Sequence, residues 1–223
     1  MNEAQIISQH VAEMLLRTQA VTLSPDEPYT WSSGWRTPIY CDNRVTLSDV
    51  IGRFLVTKGL SKFIRENFPH INMVAGVSTA GIAQGAYVAD SLELPYCYVR
   101  PEPKLHGKGK QIEGRLIPNA RTVVVEDLIS TGGSSLKVVH ALRDAGAEAN
   151  FMVSIFTYGF EKAKNAFAEA NVKLYSLTDY PTLINIAVQQ QYITHDQMLL
   201  LQDWSKDPQQ WSDNYIASIA SQK

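Results

Sequence analysis

The sequence predicts an α/β protein built on a doubly wound, mostly parallel sheet. The first observation is that short apolar runs alternate with amphipathic helical segments through the middle of the chain. The second is a β-branched run, 122–125, that leads through two acids into a glycine-bearing loop and a helix-periodic segment. Strands that alternate with helices pair in parallel through crossovers, and ligands of such sheets bind beyond the carboxyl ends of the strands.

The elements of this alternation can be assigned in chain order. Helices are predicted at 4–18, 48–68, 80–92, from the glycine loop to 145, and at 161–170. Strands are predicted at 71–77, 96–99, from 122 onward, at 149–158 and at 172–176. Ser48 is the expected N-cap of the second helix, Asp49 lies in its first turn, and Pro69 ends it.

Two segments have no place in the alternation. The segment 21–40 is rich in Pro, Ser, Trp and Gly and contains short extended pieces, whereas 182–218 is helical with starts at Thr182 and Thr194 and a break at Pro208. We expect the terminal segments to form a small hood over the sheet edge. A single domain follows, with a core at about 46–180 and a hood from 1–45 and 181–223.

Composition narrows the class of protein. The 223 residues are 45% apolar and 19% charged, as in ordinary globular proteins, and suffice for one sizeable core. A net charge of −2 gives no general attraction to nucleic acid or to anionic membranes. Cys41 and Cys97 lack metal-like or redox-like spacing, so buried free thiols are favoured over a disulfide. The start does not resemble a signal peptide and no apolar run spans a bilayer, which predicts a cytoplasmic protein.

The loop after the central strand has the features of a phosphate site. Unpaired N–H groups and the positive dipole end at a helix start attract anions, and Gly132 and Gly133 permit close approach. The spacing fits neither a Walker A loop nor a dinucleotide fingerprint. Glu126 and Asp127 would repel a bare phosphate but suit a ligand that also carries hydroxyls, such as a ribose 5-phosphate. The alternative is an ordinary strand-to-helix turn with solvated acids.

The stretch VVVEDLISTGGSS resembles the phosphoribosyl pyrophosphate (PRPP) motif of type I phosphoribosyltransferases. The resemblance implies the type I phosphoribosyltransferase fold. It also implies that Glu126 and Asp127 hold the ribose hydroxyls and favour a cationic sugar ring. The loop that would bind the rest of PRPP, and its 5′-phosphate in particular, comprises Leu128, Ile129, Ser130, Thr131, Gly132, Gly133 and Ser134.

A second loop, 76–83, also ends a strand and opens a helix with small residues. Its backbone N–H groups could face a second anion, and small residues could equally serve only tight helix–strand packing. A substrate with phosphate at one end and pyrophosphate at the other needs two such sites. In the family that this chain resembles, the equivalent loop holds pyrophosphate, which implies a role for Ser78 and Thr79.

The segment 98–114 is a charged, glycine-bearing loop. It could be a solvated surface loop or a lid that closes over a polyanion. Orotate phosphoribosyltransferases carry a similar Arg…Lys-x-His-Gly loop that reaches into the neighbouring subunit's site, which implies a homodimer. Arg100, Lys104 and His106 match that pattern. Many members have a Lys where this chain has Pro101, and its contact could pass to Lys108 or Lys110.

The segment 29–45, YTWSSGWRTPIYCDNRV, resembles the base-binding hood of the same enzymes. Ser33 and Tyr40 are expected at orotate together with Ser130. Some members place a Lys and an Arg where this chain has Ser32 and Tyr158. Arg44 is the candidate to pair with the orotate carboxylate, because a guanidinium fork fits a carboxylate twice. A structural ion pair at the dimer contact is the equal alternative for Arg44.

The resemblance covers nearly the whole chain and implies one reaction. Orotate and PRPP give orotidine 5′-monophosphate and pyrophosphate, in the synthesis of the pyrimidine nucleotide UMP. Mg²⁺ is the expected cofactor, held mostly by substrate oxygens and water, so no dedicated protein ligands are predicted. The alternatives are a phosphoribosyltransferase for a purine base, a PRPP-sensing transcription regulator without turnover, and a purely structural subunit. No nucleic-acid or membrane partner is expected, because the chain has neither a basic excess nor an apolar span.

Overall fold

The computed structural model describes residues 2–30, 34–100, 102 and 111–220. The predicted site positions Ser33, Lys104 and His106 lie outside these residues, as do Ser32, Pro101, Lys108 and Lys110. In chain order the elements are α1 (Glu3–Arg17), β1 (Val21–Leu23), β2 (Tyr29–Thr30), β3 (Arg36–Thr37), β4 (Ile39–Cys41), a 3-10 helix (Asn43–Ser48), α2 (Val50–Asn67), β5 (Met73–Val77), α3 (Gly81–Leu92), β6 (Tyr96–Val99), β7 (Ile112–Glu113), β8 (Arg121–Ile129), α4 (Gly133–Asp144), β9 (Glu148–Thr157), α5 (Glu161–Glu169), β10 (Lys173–Asp179), α6 (Tyr180–Gln189), α7 (His195–Lys206) and α8 (Pro208–Ala220).

The main sheet confirms the predicted α/β class. Its six strands lie in the order β10-β9-β8-β5-β6-β7, and every pairing is parallel except the one between β6 and β7. The chain runs from β5 through α3 to β6 on one side, whereas β8, β9 and β10 lie on the other side of β5. The strand order therefore reverses between β5 and β8, and this switch point is where such sheets bind their ligands.

The alternation of side chains along the strands divides the core into two layers. Val123 and Val125 of β8 face a hydrophobic cluster that also includes buried residues of α1, α2, α3 and α6. Val124 faces the opposite cluster, which includes buried residues of α4 and α5. Because helices cover both faces, the central strands are apolar on both sides, as the sequence of 122–125 indicated.

The terminal segments contact each other outside the sheet. Strands β1 and β4, and likewise β2 and β3, pair as short antiparallel ribbons. The buried Ser212 Oγ of α8 accepts a hydrogen bond of 2.8 Å from the backbone N–H of Arg36. Gln197 of α7 donates to Asp26. Helix α1 also packs against α2, α6 and β10, so the predicted hood and the sheet share one hydrophobic cluster.

Several element boundaries differ from the sequence-based prediction. Ser48 is not the cap of α2, because it ends a 3-10 helix, and Asp49 accepts from the backbone N–H of Gly52 as the N-cap. The short strand β7 lies in the segment predicted as loop, where it pairs with β6. The last strand continues to Asp179 instead of ending at 176. Within the described residues, no helix combines the length and the apolar character that crossing a bilayer requires.

Candidate active site

The two acids lie within β8, just beyond the last residue that pairs with β5. The pairing between β5 and β8 ends at Gly76 and Val125, while β8 continues beside β9 to Ile129. Glu126 is only 6% exposed. Its Oε2 accepts from the Ser135 hydroxyl at 2.9 Å, and its Oε1 accepts from the Asp127 N–H at 3.0 Å. The Glu126 carboxylate is thus held at the switch point rather than solvated as in an ordinary turn, whereas Asp127 is partly exposed.

Burial dominates the electrostatics of this acid pair. It raises the pKa of the Glu126 carboxyl well above its ordinary value, and the neighbouring Asp127 charge raises it further. Burial also raises the pKa of Asp127, although hydrogen bonds from Glu126 and from nearby backbone oppose the change. Two acids in a low-dielectric site cost free energy when both are ionised, and a cationic group beside them would relieve that cost.

The loop from Ser130 to α4 is shaped as an anion site. Gly132 has φ +82°, and a Cβ at this position would meet the Phe167 ring at 2.7 Å. No side chain caps the start of α4, so its first N–H groups remain available to a ligand. Ser130 is half-buried, while Thr131, Gly133 and Ser134 are exposed. Ile129 differs from these residues, because its side chain lies fully inside the core and its carbonyl accepts from the Tyr158 N–H.

The loop after β5 shows the close packing that was one of the two interpretations, and its role at an anion stays a prediction. A Cβ on Gly81 would meet the Val125 carbonyl at 2.6 Å, and one on Gly76 would meet the Gly81 carbonyl at 2.7 Å. These glycines therefore serve close helix–strand packing. Ser78 and Thr79, which are joined by a cis peptide bond, lie at the surface of the loop, and no side chain caps the start of α3.

The two loops and the acid pair line one cavity of about 330 Å³. Its walls include Ser78 and Thr79 on one side, the acid pair in the middle, and Leu128, Ser130, Thr131, Gly132 and Ser134 on the other. Ala80 and Ser135 also line it, although the sequence analysis did not select them. Ser135 is the last residue of the motif VVVEDLISTGGSS, so the signal for it was present in the sequence.

Arg100 stands at the base of the predicted lid. It follows β6, exchanges hydrogen bonds with Gln111, and its guanidinium lies 3.5 Å from a Glu113 carboxylate oxygen. It does not line the cavity between the loops. The lid roles of Lys104 and His106 remain predictions, because both lie outside the described residues.

Tyr40 and Arg44 belong to the hood, and neither lines the cavity between the loops. Tyr40 is about half exposed and its ring is tilted against Tyr29. Arg44 is exposed and pairs through its Nε and a terminal nitrogen with both oxygens of Asp42, at 2.6 and 2.7 Å. The ion pair considered for Arg44 therefore exists, but within one chain. Tyr158, at the position where some relatives carry Arg, is buried and stacks on Phe160 beside Trp204.

Asn43 is a site residue that the sequence analysis missed. It is 1% exposed, and its side-chain N–H group donates to the Asp127 carbonyl at 2.8 Å. The contact joins residues 84 positions apart in the chain. Neither periodicity nor a motif in the sequence signals a contact of this kind.

The donor set fits magnesium carried mainly by its substrate. Among residues 2–30, 34–100, 102 and 111–220, no cluster of three or more His, Cys, Asp or Glu side chains could hold a metal. The cavity nevertheless offers hard carboxylate oxygens from Glu126 and Asp127, which suit Mg²⁺ alongside phosphate oxygens and water.

An acid pair between two anion loops at the switch point of a doubly wound sheet fits the class of phosphoribosyltransferases. The family model described as phosphoribosyl transferase domain matches residues 51–181. The orotate phosphoribosyltransferase of Bacillus subtilis is 53% identical over 205 residues, which cover 92% of this chain and 95% of that protein. That of Listeria innocua is 51% identical over 205 residues, which cover 92% of this chain and 98% of that protein.

The solved structures agree with the sequence relatives. The crystal structure of orotate phosphoribosyltransferase from Aeropyrum pernix superposes with a TM-score of 0.71 at 29% identity, over 82% of this chain and 99% of that one. This chain belongs to the orotate phosphoribosyltransferase family.

Proposed function

We propose that this protein transfers the 5-phosphoribosyl group of PRPP to orotate, which gives orotidine 5′-monophosphate and pyrophosphate for UMP synthesis. The observation that carries the proposal is the single cavity in which Glu126 and Asp127 lie between the Ser78–Thr79 loop and the loop from Ser130 to Ser134. A phosphorylated sugar that bears pyrophosphate would span this cavity, with one anionic group at each loop and its hydroxyls at the acids.

The acids act on the charge that develops during transfer. As the anomeric C–O bond breaks, its electron pair leaves with pyrophosphate and the ribose ring becomes cationic. An orotate ring nitrogen then forms the new C–N bond with its lone pair and releases its N–H proton to water or to the departing pyrophosphate, so the protein supplies no covalent nucleophile. Glu126 and Asp127 stabilise the cationic ring, and their burial strengthens this interaction because the local dielectric is low.

The departing pyrophosphate needs positive charge and hydrogen-bond donors. The Ser78–Thr79 loop provides donors through its two hydroxyls and the Thr79 backbone N–H, since the Ser78 N–H already donates to the Val99 carbonyl at 2.9 Å. Arg100, Lys104 and His106 provide the charge when the lid closes and excludes water. Glu126 and Asp127 would hold Mg²⁺ together with substrate oxygens and water, and the bound ion would supply positive charge that offsets part of the phosphate charge. On the orotate side, Ser33, Tyr40, Arg44 and Ser130 form the expected binding set.

A base-specificity assay tests the proposal. Orotate absorbance should fall when the protein, PRPP and Mg²⁺ are combined, and it should stay constant when any one of them is omitted. Adenine, hypoxanthine and uracil serve as matched acceptors and should give no product. Conversion of a purine with orotate left untouched would assign the protein to another base instead.

We further propose a homodimer in which the lid crosses to the partner's site. An exposed apolar surface on α2 and the preceding 3-10 helix supports this, since Val50, Ile51 and Phe54 of α2 are 66%, 75% and 63% exposed and Val45 of the 3-10 helix is 40% exposed. A patch of this kind marks an interaction site. Both cysteines are free thiols, which is in keeping with the cytoplasmic location that we also propose.

The dimer surface can be tested by placing charge on it. The double variant Ile51→Glu/Phe54→Glu should change the mass measured by light scattering from twice the chain mass to the chain mass. It should also reduce turnover, because the lid would lose the site that it serves. Leu199→Glu/Leu200→Glu on α7 is the matched control, since these leucines are 51% and 45% exposed. A parental mass for the α2 variant would exclude α2 as the dimer contact.

A further inference from the structure

We propose that Asn43 is a positioning residue that fixes the backbone of Asp127 for catalysis, an inference that rests on the proposed function. Beyond Val125, strand β8 no longer pairs with β5 and keeps a strand neighbour only in β9. The Asn43 side chain reaches this part of β8 and donates to the Asp127 carbonyl at 2.8 Å. A hood side chain thus binds the strand at the acid pair itself.

A buried polar chain holds Asn43 in place. The backbone carbonyl of Asn43 accepts from the Thr46 hydroxyl at 2.6 Å, and that hydroxyl accepts from the side-chain N–H group of Gln84 at 3.4 Å. The other side-chain atom of Asn43, its Oδ1, accepts from the Cys41 thiol at 3.4 Å. Asn43, Thr46 and Gln84 are each at most 1% exposed. Gln84 belongs to α3. This series of hydrogen bonds therefore connects Asp127 of β8 with the helix that follows the loop at Ser78 and Thr79.

This arrangement meets a specific need of the acid pair. Glu126 is held by Ser135 and by the Asp127 N–H, so its carboxylate has two donors of its own. The direction of the Asp127 side chain depends on the peptide plane that follows it, and the hydrogen bond from Asn43 fixes that plane through its carbonyl oxygen. Loss of this bond would leave a part-buried carbonyl without the Asn43 donor and let the carboxylate shift away from the sugar.

The test removes the donor and compares two backgrounds. Asn43→Ala should lower kcat by about 10- to 100-fold, since small misplacements of reacting groups cost up to about 100-fold. The KM for orotate should stay within about twofold, because Asn43 acts on the acid pair rather than on the base. In the Asp127→Asn background, Asn43→Ala should change the residual kcat by less than about twofold, because the residue that it positions has already lost its charge.

Tyr180→Phe is the matched structural control. It removes another buried hydrogen bond from a side chain to a carbonyl, the 3.0 Å bond from Tyr180 to Leu201, without touching the acids. It should lower the unfolding temperature and leave kcat unchanged. If Asn43→Ala does not fold, Asn43→Asp keeps the side-chain shape, removes the donor and takes its place in the same comparison.

The possible outcomes separate the inference from the proposed function. A parental kcat for the Asn43 variants, an equal loss in both backgrounds, or an equal loss in Tyr180→Phe would overturn the positioning role. These comparisons are made only with a parent protein that converts orotate with PRPP. If the parent protein does not carry out this conversion, the proposed function is wrong, whatever the role of Asn43.

Discussion

Asp127→Asn is expected to lower kcat by about 100-fold or more, a size typical of removing one preorganised electrostatic group from an active site. The substitution preserves the shape of the side chain but removes the negative charge that stabilises the cationic ribose. The same change should raise the unfolding temperature at neutral pH, because the buried carboxylate has a raised pKa and is therefore held at a cost in the folded state. Steady-state kinetics and thermal unfolding measure the two effects.

The stability gain should depend on pH in a defined direction. Burial raises the pKa of Asp127 and of Glu126 in the folded protein, so the folded state binds protons more tightly than the unfolded chain. The stability that proton binding contributes is complete below the ordinary carboxyl pKa of about 4 and is lost as pH rises through the raised folded-state values. The difference in stability between Asp127→Asn and the parent should therefore be small near pH 4 and grow toward neutral pH, by about 1.4 kcal/mol for each unit of pKa shift removed.

Asp144→Asn provides the matched control for this variant. Asp144 is exposed in the last turn of α4 and does not line the cavity, so its replacement should leave kcat unchanged. A gain of the same size for Asp127→Asn at pH 4 and pH 8 would show that its cause is not the ionised carboxylate. A parental kcat for Asp127→Asn would remove the acid from the mechanism.

The central part of the site could be predicted because local sequence alone determines it. The β-branched run 122–125 favours a strand buried on both faces, and the Ser/Thr/Gly loop follows where that strand ends. The small residues after 71–77 likewise indicate that Ser78 and Thr79 follow the end of β5. Parallel pairing then brings the two strand ends together, so a pattern read separately in two segments predicts one shared cavity.

The hood could not be predicted to the same depth, because its contacts join distant segments. Arg44 matches a carboxylate-binding role in the sequence, yet its guanidinium meets Asp42 two residues away. The spacing of Asp42 and Arg44 is evident in the sequence, but it does not decide between a carboxylate-binding role and a structural ion pair for Arg44. Asn43 acts across 84 positions, and Tyr158 replaces a charged residue by packing into an aromatic cluster. Tertiary packing determines such roles, and rules based on neighbouring residues in the sequence do not describe that packing.

The second large effect is expected on the activity of mixed dimers, in which the two subunits carry different substitutions. Lys104→Ala and Asp127→Asn should each reduce turnover strongly, because in the proposed mechanism one removes lid charge at the pyrophosphate and the other removes the acid at the sugar. If the lid acts in the partner's site, a mixed dimer contains one site in which an intact Asp127 meets an intact Lys104. Equal mixing with free exchange of subunits should then restore about a quarter of the parental activity, since half of the dimers are mixed and each has one complete site.

The control for this recovery is a mixture that can form no complete site. Lys104→Ala combined with the double variant Lys104→Ala/Asp127→Asn contains no intact lid lysine, so exchange should restore nothing. Recovery only in the first mixture would assign Lys104 and Asp127 to one site made by two chains. Equal, negligible activity in both mixtures, with subunit exchange verified by mass, would instead require each site to be complete within a single chain, and the apolar face of α2 would then serve assembly without serving catalysis.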